Sequence, residues 1–598
     1  MASSKFAGFL FVLLFFLSES EVFGEKYSYI QDCIWKGGFT ESLTFFCGRN
    51  YVTDRFFNYN HRRKPCINNR DGYIKDDIFE MSFENCTFTA LHPLDIVEYY
   101  RYIQKLDLSD LGLKTLARVD FSGLHGMRLR SLNVSHNLLT ELVEGVLDGV
   151  KYIKTVDFSY NQIQNINPLA FYNNTKMVSL DLSNNNLLMI GNQIFSTLNQ
   201  LENLYLRNNK MTDIKASAFS DLSALSKLDL SQNKLTKLNS AAFAELTVSS
   251  LNLSHNGITE LDTRLFSRIK SIKILDLSYN NISQMDYSFV NNPQLTGLYI
   301  SNNQIKSIDQ LASTNLNDFQ VLDVSNNQIS ELCDNIFDRF PNLADINLAM
   351  NPIKKMNDTI FTNNANLLRL NLSHTALEKI GVKTFSKTKK LQSLDLSAGK
   401  LKKLDFNMFL PRLPELKMFY VEGNSIKDLY GFRKQLFPNL LTLGIQNNNF
   451  NCSYLHQFLD KTIWPDLYID IDRIYPFSTE DVNVGGIRCK KIKVELVDSS
   501  EQVDGDGDDS KNSKESDAET LTHTSINAGP TKGKYGIKPT RSGSGYVALI
   551  AILCVISLAI VGGVIYRNEI LNFVTTKNIM YRQNYRQTTV ETEPVLAP

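Results

Sequence analysis

Catalytic motifs are missing from this 598-residue sequence. It contains no GxSxG nucleophile elbow, no HExxH zinc motif and no phosphate-binding P-loop. The eight histidines are scattered, and no CxxC pair occurs among the eight cysteines. Because nucleophilic, acid–base and metal chemistry need such groups at set spacings, we predict that the chain is not an enzyme and holds no cofactor or metal.

An excess of charge of one sign is also absent, since 63 Lys and Arg residues balance 63 Asp and Glu residues. A nucleic-acid partner is therefore not indicated. One acidic stretch, "DGDGDDSKNSKE", places Asp504, Asp506, Asp508 and Glu515 at calcium-loop spacing. The loop lacks its central glycine and its flanking apolar helices, so we interpret it as part of an acidic stalk.

One sequence motif recurs through most of the chain, for example "LDLSNNNLL" at 180–188 and "LDLSYNNI" at 275–282. Aligned on the asparagine of LxxLxLxxNxL, it occurs fifteen times at steps of 23 to 26 residues, after an atypical copy at Cys86. This period is the signature of the leucine-rich repeat. We predict an α/β repeat solenoid, a horseshoe with parallel strands on its concave face. We call the aligned position the slot; it falls at residues 111, 137, 161, 185, 209, 233, 256, 280, 303, 327, 351, 375, 399, 424 and 448.

The spacing also predicts which side chains form the core. The leucines of LxL point inward and stack between repeats, while the slot asparagine turns inward to pair with backbone groups. Leu111, Thr375 and Gly399 break that asparagine ladder. A phenylalanine follows the slot by ten residues in ten repeats: Phe121, Phe171, Phe195, Phe219, Phe243, Phe266, Phe337, Phe361, Phe385 and Phe409.

The residue between the two leucines of LxL faces the concave side, where it is mostly Asp or Asn with a Ser two residues later. We interpret this regular ladder as scaffold. Its breaks carry Tyr and Arg, the side chains that most often anchor interfaces. The candidate ligand contacts are Tyr205, Arg207, Tyr299, Met418, Tyr420 and Glu422.

The ends of the chain predict a secreted, membrane-anchored topology. Residues 1–24 are typical of a signal peptide, and the uncharged run 546–566 is long enough to span a bilayer. We expect a single-pass type I protein of the plasma membrane with its ectodomain outside. The remaining divisions are an N-terminal cap with the atypical repeat at 25–100, the repeats at 101–450, a C-terminal cap at 451–497, a disordered acidic stalk at 498–545 and a cytoplasmic tail at 567–598.

In a secreted chain the cysteines outside the repeats indicate disulfide-stapled caps. The N-terminal cap has Cys33, Cys47, Cys66 and Cys86, whose three possible connectivities stay open, and Cys452 and Cys489 are the pair available to the C-terminal cap. Cys333 is left over in the repeats, either as a buried thiol or as an interchain disulfide to a partner. Candidate glycosylation sites are Asn85, Asn133, Asn173, Asn252, Asn281, Asn357, Asn371 and Asn451.

Repeats, caps and span together resemble animal extracellular leucine-rich repeat receptors. The C-terminal cap, "NNNFNCSYLHQFL" through "VGGIRC", is similar to the leucine-rich immune molecules of mosquitoes and, less closely, to Toll ectodomains. The chain departs from both, because no heptad run follows the cap and the tail is too short for a TIR domain. The membrane span suggests a transmembrane subtype.

This resemblance implies a cell-surface receptor of innate immunity that captures protein, glycoconjugate or microbial ligands and recruits partners as a homodimer or heterodimer. The alternative is a cell-adhesion or neural-recognition molecule. The tether and the short tail fit both functions.

Overall fold

The structure is a computed structural model. It describes residues 103–490 except 119–120, 122–127, 262–264, 286–291, 315, 407–412, 462, 472 and 474–481, together with five short strands ahead of them. The predicted signal peptide, stalk, membrane span and tail lie outside the described residues. Within the described part, no helix has the length and apolar character needed to cross a membrane.

Short strands account for most of the regular structure. Before the repeats lie β1 Asp32–Trp35, β2 Ser42–Phe46, β3 Val52–Thr53, β4 Glu80–Glu84 and β5 Thr87–Phe88. The repeats supply β6 Lys105–Asp107, β7 Ser131–Asn133, β8 Glu141–Leu142, β9 Thr155–Asp157, β10 Asn165–Ile166, β11 Ser179–Asp181, β12 Met189–Ile190, β13 Asn203–Tyr205, β14 Asp213–Ile214, β15 Lys227–Asp229, β16 Thr247–Asn252, β17 Ser271–Asp276, β18 Gly297–Tyr299, β19 Val321–Asp323, β20 Asp345–Asn347, β21 Arg369–Asn371, β22 Ser393–Asp395, β23 Met418–Tyr420 and β24 Thr442–Gly444. The C-terminal cap supplies β25 Tyr468–Asp470, β26 Asn483–Val484 and β27 Ile487–Arg488.

One 19-stranded sheet runs through the solenoid. Every predicted LxL segment forms one of its strands, and each pairs in parallel with the strand of the next repeat. The register advances by one repeat per step, so Leu180 lies opposite Leu204, which lies opposite Leu228. The antiparallel pair β1–β2 precedes the repeats and β25 follows β24. The predicted parallel solenoid is confirmed.

Helices contribute less than the predicted α/β class implies. Among the described residues the α-helices are α1 Leu265–Arg268 and α2 Cys452–Lys461, with 3₁₀ turns at Ser240–Ala242 and Asp309–Ser313. Most return segments are chains of turns closed by hydrogen bonds over three residues, such as Ala170 N–H to the Asn167 carbonyl at 2.9 Å. A repeat of about 24 residues leaves too little chain after its strand and loop for a longer helix.

Phenylalanines line the core behind the strands. Nine of the ten predicted from the repeat are buried at 1% exposure or less, while Phe409 lies outside the described residues. The rings of Phe171, Phe195 and Phe219 stack in sequence with centroids 6.5 Å apart. Since no repeat can bury its own apolar face, this continuous stack couples each repeat to its neighbours.

The slot asparagines confirm the prediction that they turn inward. Asn209, 5% exposed, donates from Nδ2 to the carbonyls of Leu182 and Leu206 at 3.0 and 3.1 Å. Its Oδ1 accepts the Leu187 N–H at 3.0 Å. One side chain thus closes its own turn and ties it to the preceding repeat. At the Thr375 break, the hydroxyl donates to the carbonyl of Leu372 in its own repeat at 2.9 Å.

The C-terminal cap is held by a disulfide and by aromatic packing. A disulfide joins Cys452 to Cys489, with Cα atoms 5.0 Å apart. The Tyr454 hydroxyl accepts the backbone N–H of Leu429 at 2.6 Å, and burial raises the pKa of Tyr454 to about 12. Trp464 stacks on Phe432 with centroids 5.6 Å apart. The side chains of the four N-terminal cap cysteines lie outside the described residues.

Candidate ligand-binding face

The open side of the sheet carries three rows of side chains, which we call the strand face. In each repeat the rows are the residue directly before LxL, the residue in the middle of LxL, and the residue two positions after that middle residue. In the middle row Asp181 and Asp276 are half-buried, and Oδ1 of each accepts a serine N–H two residues on, at 2.8 and 2.9 Å. Burial raises the pKa of both carboxyls, an effect that the serine hydrogen bonds partly offset.

A first break in the ladder lies on β13. Tyr205 is half-buried between Asp181 and Asp229, its partners in register on β11 and β15. Burial and those two carboxylates raise the pKa of Tyr205. Arg207 is exposed, and its Nε donates to Oε1 of Gln232 at 3.2 Å. Both predicted contacts therefore lie on an accessible part of the strand face.

A second break lies on β18 and extends over its neighbours. Tyr299 stands between Asp276 and Asp323 in register. Beside it in the first row are Ile274 and Val321, both half-buried, on either side of Gly297. The other first-row residues are polar apart from Met418, so these three neighbouring strands share an apolar segment. The positions of Tyr and Arg alone do not predict this segment.

The third predicted break, on β23, is covered from within the chain. Arg473 of the C-terminal cap donates to Oε1 of Glu422 at 2.5 Å and to Oδ2 of Asp395. Its guanidinium lies 3.8 Å from the ring centroid of Tyr420. Glu422 is only 2% exposed, and burial raises its pKa while Arg473 acts in the opposite direction. These residues form a contact between cap and repeats, which we call the Arg473 cluster.

Gly444 makes that contact possible. A methyl group added there would lie 2.3 Å from Oε2 of Glu422 and 2.7 Å from Cδ1 of Tyr420. Glycine at this position therefore lets two side chains of β23 pack directly against the backbone of β24. Met418, the remaining predicted contact, is half-buried on β23.

An exposed ridge borders the strand face at the residue before each slot. In most described repeats this residue has a left-handed backbone, as at Asn302 with a φ of 56°. Neighbouring ridge side chains touch. His136 stacks on Tyr160 with centroids 4.3 Å apart, and His255 stacks on Tyr279 at 4.1 Å. Each stack pairs one histidine with the tyrosine of the next repeat.

Three predicted glycosylation sites lie on the strand face. Asn133, Asn252 and Asn371 each accept a serine N–H two residues on, at 3.0 Å. This hydrogen bond involves Oδ1 and not Nδ2, which is the atom that would carry a glycan. Asn281 is exposed and directly follows the slot asparagine Asn280.

Cys333 is half-buried, and its backbone N–H points to Oδ1 of Asp309 at 3.4 Å. Burial and the Asp309 carboxylate raise the pKa of the Cys333 thiol to about 11. The interchain disulfide at this position stays a prediction.

Comparison with known families identifies the repeats. A family model described as leucine rich repeat matches residues 127–187, 199–249, 247–305, 293–353 and 341–401. The solenoid is a leucine-rich repeat fold, as the period of the sequence predicts. No curated protein sequence matches the chain.

Two solved structures with TM-scores above 0.5 show the same fold, and a third aligns at a lower score. A leucine-rich repeat protein of Leptospira interrogans aligns with a TM-score of 0.52 at 21% identity, over 62% of this chain and 96% of its own. Drosophila Toll, in the glycosylated form of its complex with Spatzle, aligns with a TM-score of 0.54 at 18% identity, over 66% of this chain and 58% of its own. The APL1 leucine-rich repeat domain aligns with a TM-score of 0.45 at 20% identity, over 75% of this chain and 98% of its own.

Proposed function

We propose that this chain is a cell-surface receptor whose repeats bind a protein or microbial ligand in innate immune recognition. The observation that carries the proposal is the accessible strand face, a scaffold of repeated Asp, Asn and Ser interrupted by Tyr205 with Arg207 and by Tyr299. Large aromatic and arginine side chains on an otherwise uniform polar surface are the groups that anchor protein interfaces.

Two further features support this proposal. The fold is shared with Toll, which was solved bound to Spatzle and is described as part of a hub in development and innate immunity. The predicted signal peptide and membrane span would present the strand face outside the cell. The proposed subtype is a transmembrane relative of the mosquito leucine-rich immune molecules.

A cell-mixing assay separates this function from adhesion. Non-adherent cells expressing the full-length chain are mixed with labelled cells that lack it, and the composition of the clusters is counted. We expect no clusters confined to expressing cells. Clusters formed only among expressing cells would identify a homophilic adhesion molecule and would overturn the receptor proposal.

A further inference from the structure

The second break of the strand face forms a continuous apolar surface, which we call the platform: Ile274, Gly297, Tyr299 and Val321. A methyl group placed on Gly297 would lie 3.5 Å from Cε2 of Tyr299, and 3.8 Å from both Cγ1 of Ile274 and Cβ of Val321. The tyrosine ring thus leans over the bare glycine between two aliphatic side chains. Three parallel strands in register hold these groups together.

The platform is the apolar break that the chain leaves accessible. Ile274, Tyr299 and Val321 are each half-buried, whereas the break on β23 is occupied by Arg473. Tyrosine and aliphatic side chains that are partly exposed on rigid strands provide contact area at a low cost in conformational entropy.

Carboxylates flank the platform on both sides. Asp276 and Asp323 are the register partners of Tyr299, and each holds its Oδ1 on a serine N–H at 2.9 to 3.0 Å. Asp345 lies in the first row of the following strand, β20, and is paired with Arg369. The acidic border therefore ends at Asp323. An apolar centre with an acidic border is complementary to an apolar side chain between basic ones.

Candidate glycosylation sites limit the size of the ligand segment. Asn252 lies one strand before Asp276, and Asn371 lies two strands after Asp323. At about 4.8 Å per strand, the space between these two sequons is roughly 24 Å. A fully extended segment of about seven residues spans that distance.

We infer that the platform binds an extended peptide segment of a partner protein, with an apolar side chain on Tyr299 and basic residues facing Asp276 and Asp323. This inference deepens the proposed receptor function and rests on it. The partner is identified by its chemistry alone, as a basic segment with an apolar centre.

The test uses the full-length chain on cells and a phage library of random 12-residue peptides as the probe. The disruptive variant is Ile274→Ser/Tyr299→Asp/Val321→Ser, which gives the platform the residues that other repeats have in the same rows. Serine already occupies the first row at Ser179 and Ser250, so this variant is expected to fold and to reach the surface. The control is Lys105→Ser/Thr155→Ser, which places serine in the first row at two exposed positions on β6 and β9, away from all three breaks.

We expect the selected peptides to combine an apolar residue with Lys or Arg, and to bind the disruptive variant at least tenfold more weakly. Binding to the control variant should change by less than twofold. Raising the salt concentration should weaken binding, because the acidic border contributes to it.

Three results would overturn the inference: no enriched peptide, equal binding to the parent chain and the disruptive variant, or greater loss in the control variant. Binding of the β-glucan laminarin, lost in the disruptive variant, with no peptide bound would assign the platform to carbohydrate instead. The receptor proposal is tested separately, because it fails only if homophilic clusters form in the cell-mixing assay. Failure of the platform and failure of the receptor proposal are therefore distinguishable.

Discussion

At the scale of single residues, the slot asparagine determines how each repeat closes. Asn209 accepts the buried Leu187 N–H and donates to the carbonyls of Leu182 and Leu206, each of which also accepts from a neighbouring slot asparagine. We expect Asn209→Ala to lower the free energy of unfolding by about 1–3 kcal/mol, since the buried Leu187 N–H loses its acceptor and an orphaned buried group costs about that much. Urea denaturation of the variant measures this effect.

The matched control is Asn199→Ala, because the Asn199 side chain is exposed in a return segment. It should change the stability by less than about 0.5 kcal/mol. Equal effects of the two substitutions would show that the hydrogen bonds of the buried Asn209 amide do not contribute to stability.

Cys333 gives a second prediction at this scale. Burial and Asp309 raise its pKa to about 11 from a reference of 9.0, so at neutral pH the reactive thiolate is about 100-fold scarcer than in an ordinary thiol. Alkylation of Cys333 by iodoacetamide should be slow at pH 7.5 and should rise about tenfold per pH unit towards pH 11. Slow alkylation would favour the buried-thiol alternative over the interchain disulfide.

Asp309→Asn removes the carboxylate and should accelerate alkylation at pH 7.5. Non-reducing electrophoresis of the parent chain and of Cys333→Ser should show the same monomer. A dimer band present only in the parent chain would restore the interchain disulfide.

At the scale of elements, the Arg473 cluster joins the C-terminal cap to the last repeats. Because burial raises the pKa of Glu422, its contribution to stability is present at low pH and is lost as the pH rises through the folded pKa; Arg473 offsets that loss. We expect Arg473→Met to cost about 2–3 kcal/mol at pH 7.5, where a buried carboxylate is left unpaired, and much less near pH 4.

Arg369→Met is the control for the Arg473 substitution. It breaks the pair between Arg369 and Asp345, in which the arginine side chain is 56% exposed, and should cost less than about 1 kcal/mol. Thermal denaturation of both variants at pH 4 and pH 7.5 measures the difference. A pH-independent loss in Arg473→Met would show that packing on Tyr420, rather than charge, accounts for the contact.

Two strand glycines give opposite predictions for the same substitution. Gly444→Ala would bring a methyl group within 2.3 Å of Oε2 of Glu422, and should destabilise the chain by about 1–3 kcal/mol. Gly297→Ala meets its neighbours at 3.5 Å or more and should be within about 0.5 kcal/mol of the parent chain. Comparison of their melting temperatures tests whether close packing explains Gly444; equal losses would contradict it.

Much of this arrangement could be predicted from sequence, because the repeat specifies it locally. Slot asparagines, core phenylalanines and strand register all follow from a period of 23 to 26 residues. The Arg473 cluster could not be predicted, since it joins Arg473 to Asp395 across 78 positions and the cap has no repeat to align. Gly297 had a usable signal, namely a glycine between Ile274 and Val321 in a row that is otherwise mostly polar.

At the scale of the whole molecule, the described repeats form a regular scaffold, and in the proposed function the residues that vary between them would determine ligand choice. Within the described strands the apolar breaks are few, and one of them already serves as a cap contact. The alignment covers 58% of the Toll chain of known structure. The shared fold does not identify a ligand, so the ligand has to be inferred from the residues of the strand face. The position of the ligand surface, rather than the receptor function itself, therefore depends on whether ligands bind around Tyr299.

The chain offers a direct way to map that surface. Middle-row aspartates precede a serine by two positions, so Asp276→Asn and Asp323→Asn each create a glycosylation sequon in the position that Asn133 and Asn252 occupy. Asp107→Asn does the same at the distant end of the sheet. Adding Ser278→Ala to Asp276→Asn keeps the charge change and removes the sequon.

The decisive measurement is the binding of the selected peptides to full-length chains that carry these glycans on cells. We expect occupied sequons at Asp276→Asn and Asp323→Asn to abolish binding and Asp107→Asn to leave it unchanged. The Ser278→Ala addition should restore binding only in part, because the Asp276 carboxylate stays replaced. Peptide binding that persists beneath glycans at both central positions would contradict the assignment of the strand face as the ligand surface.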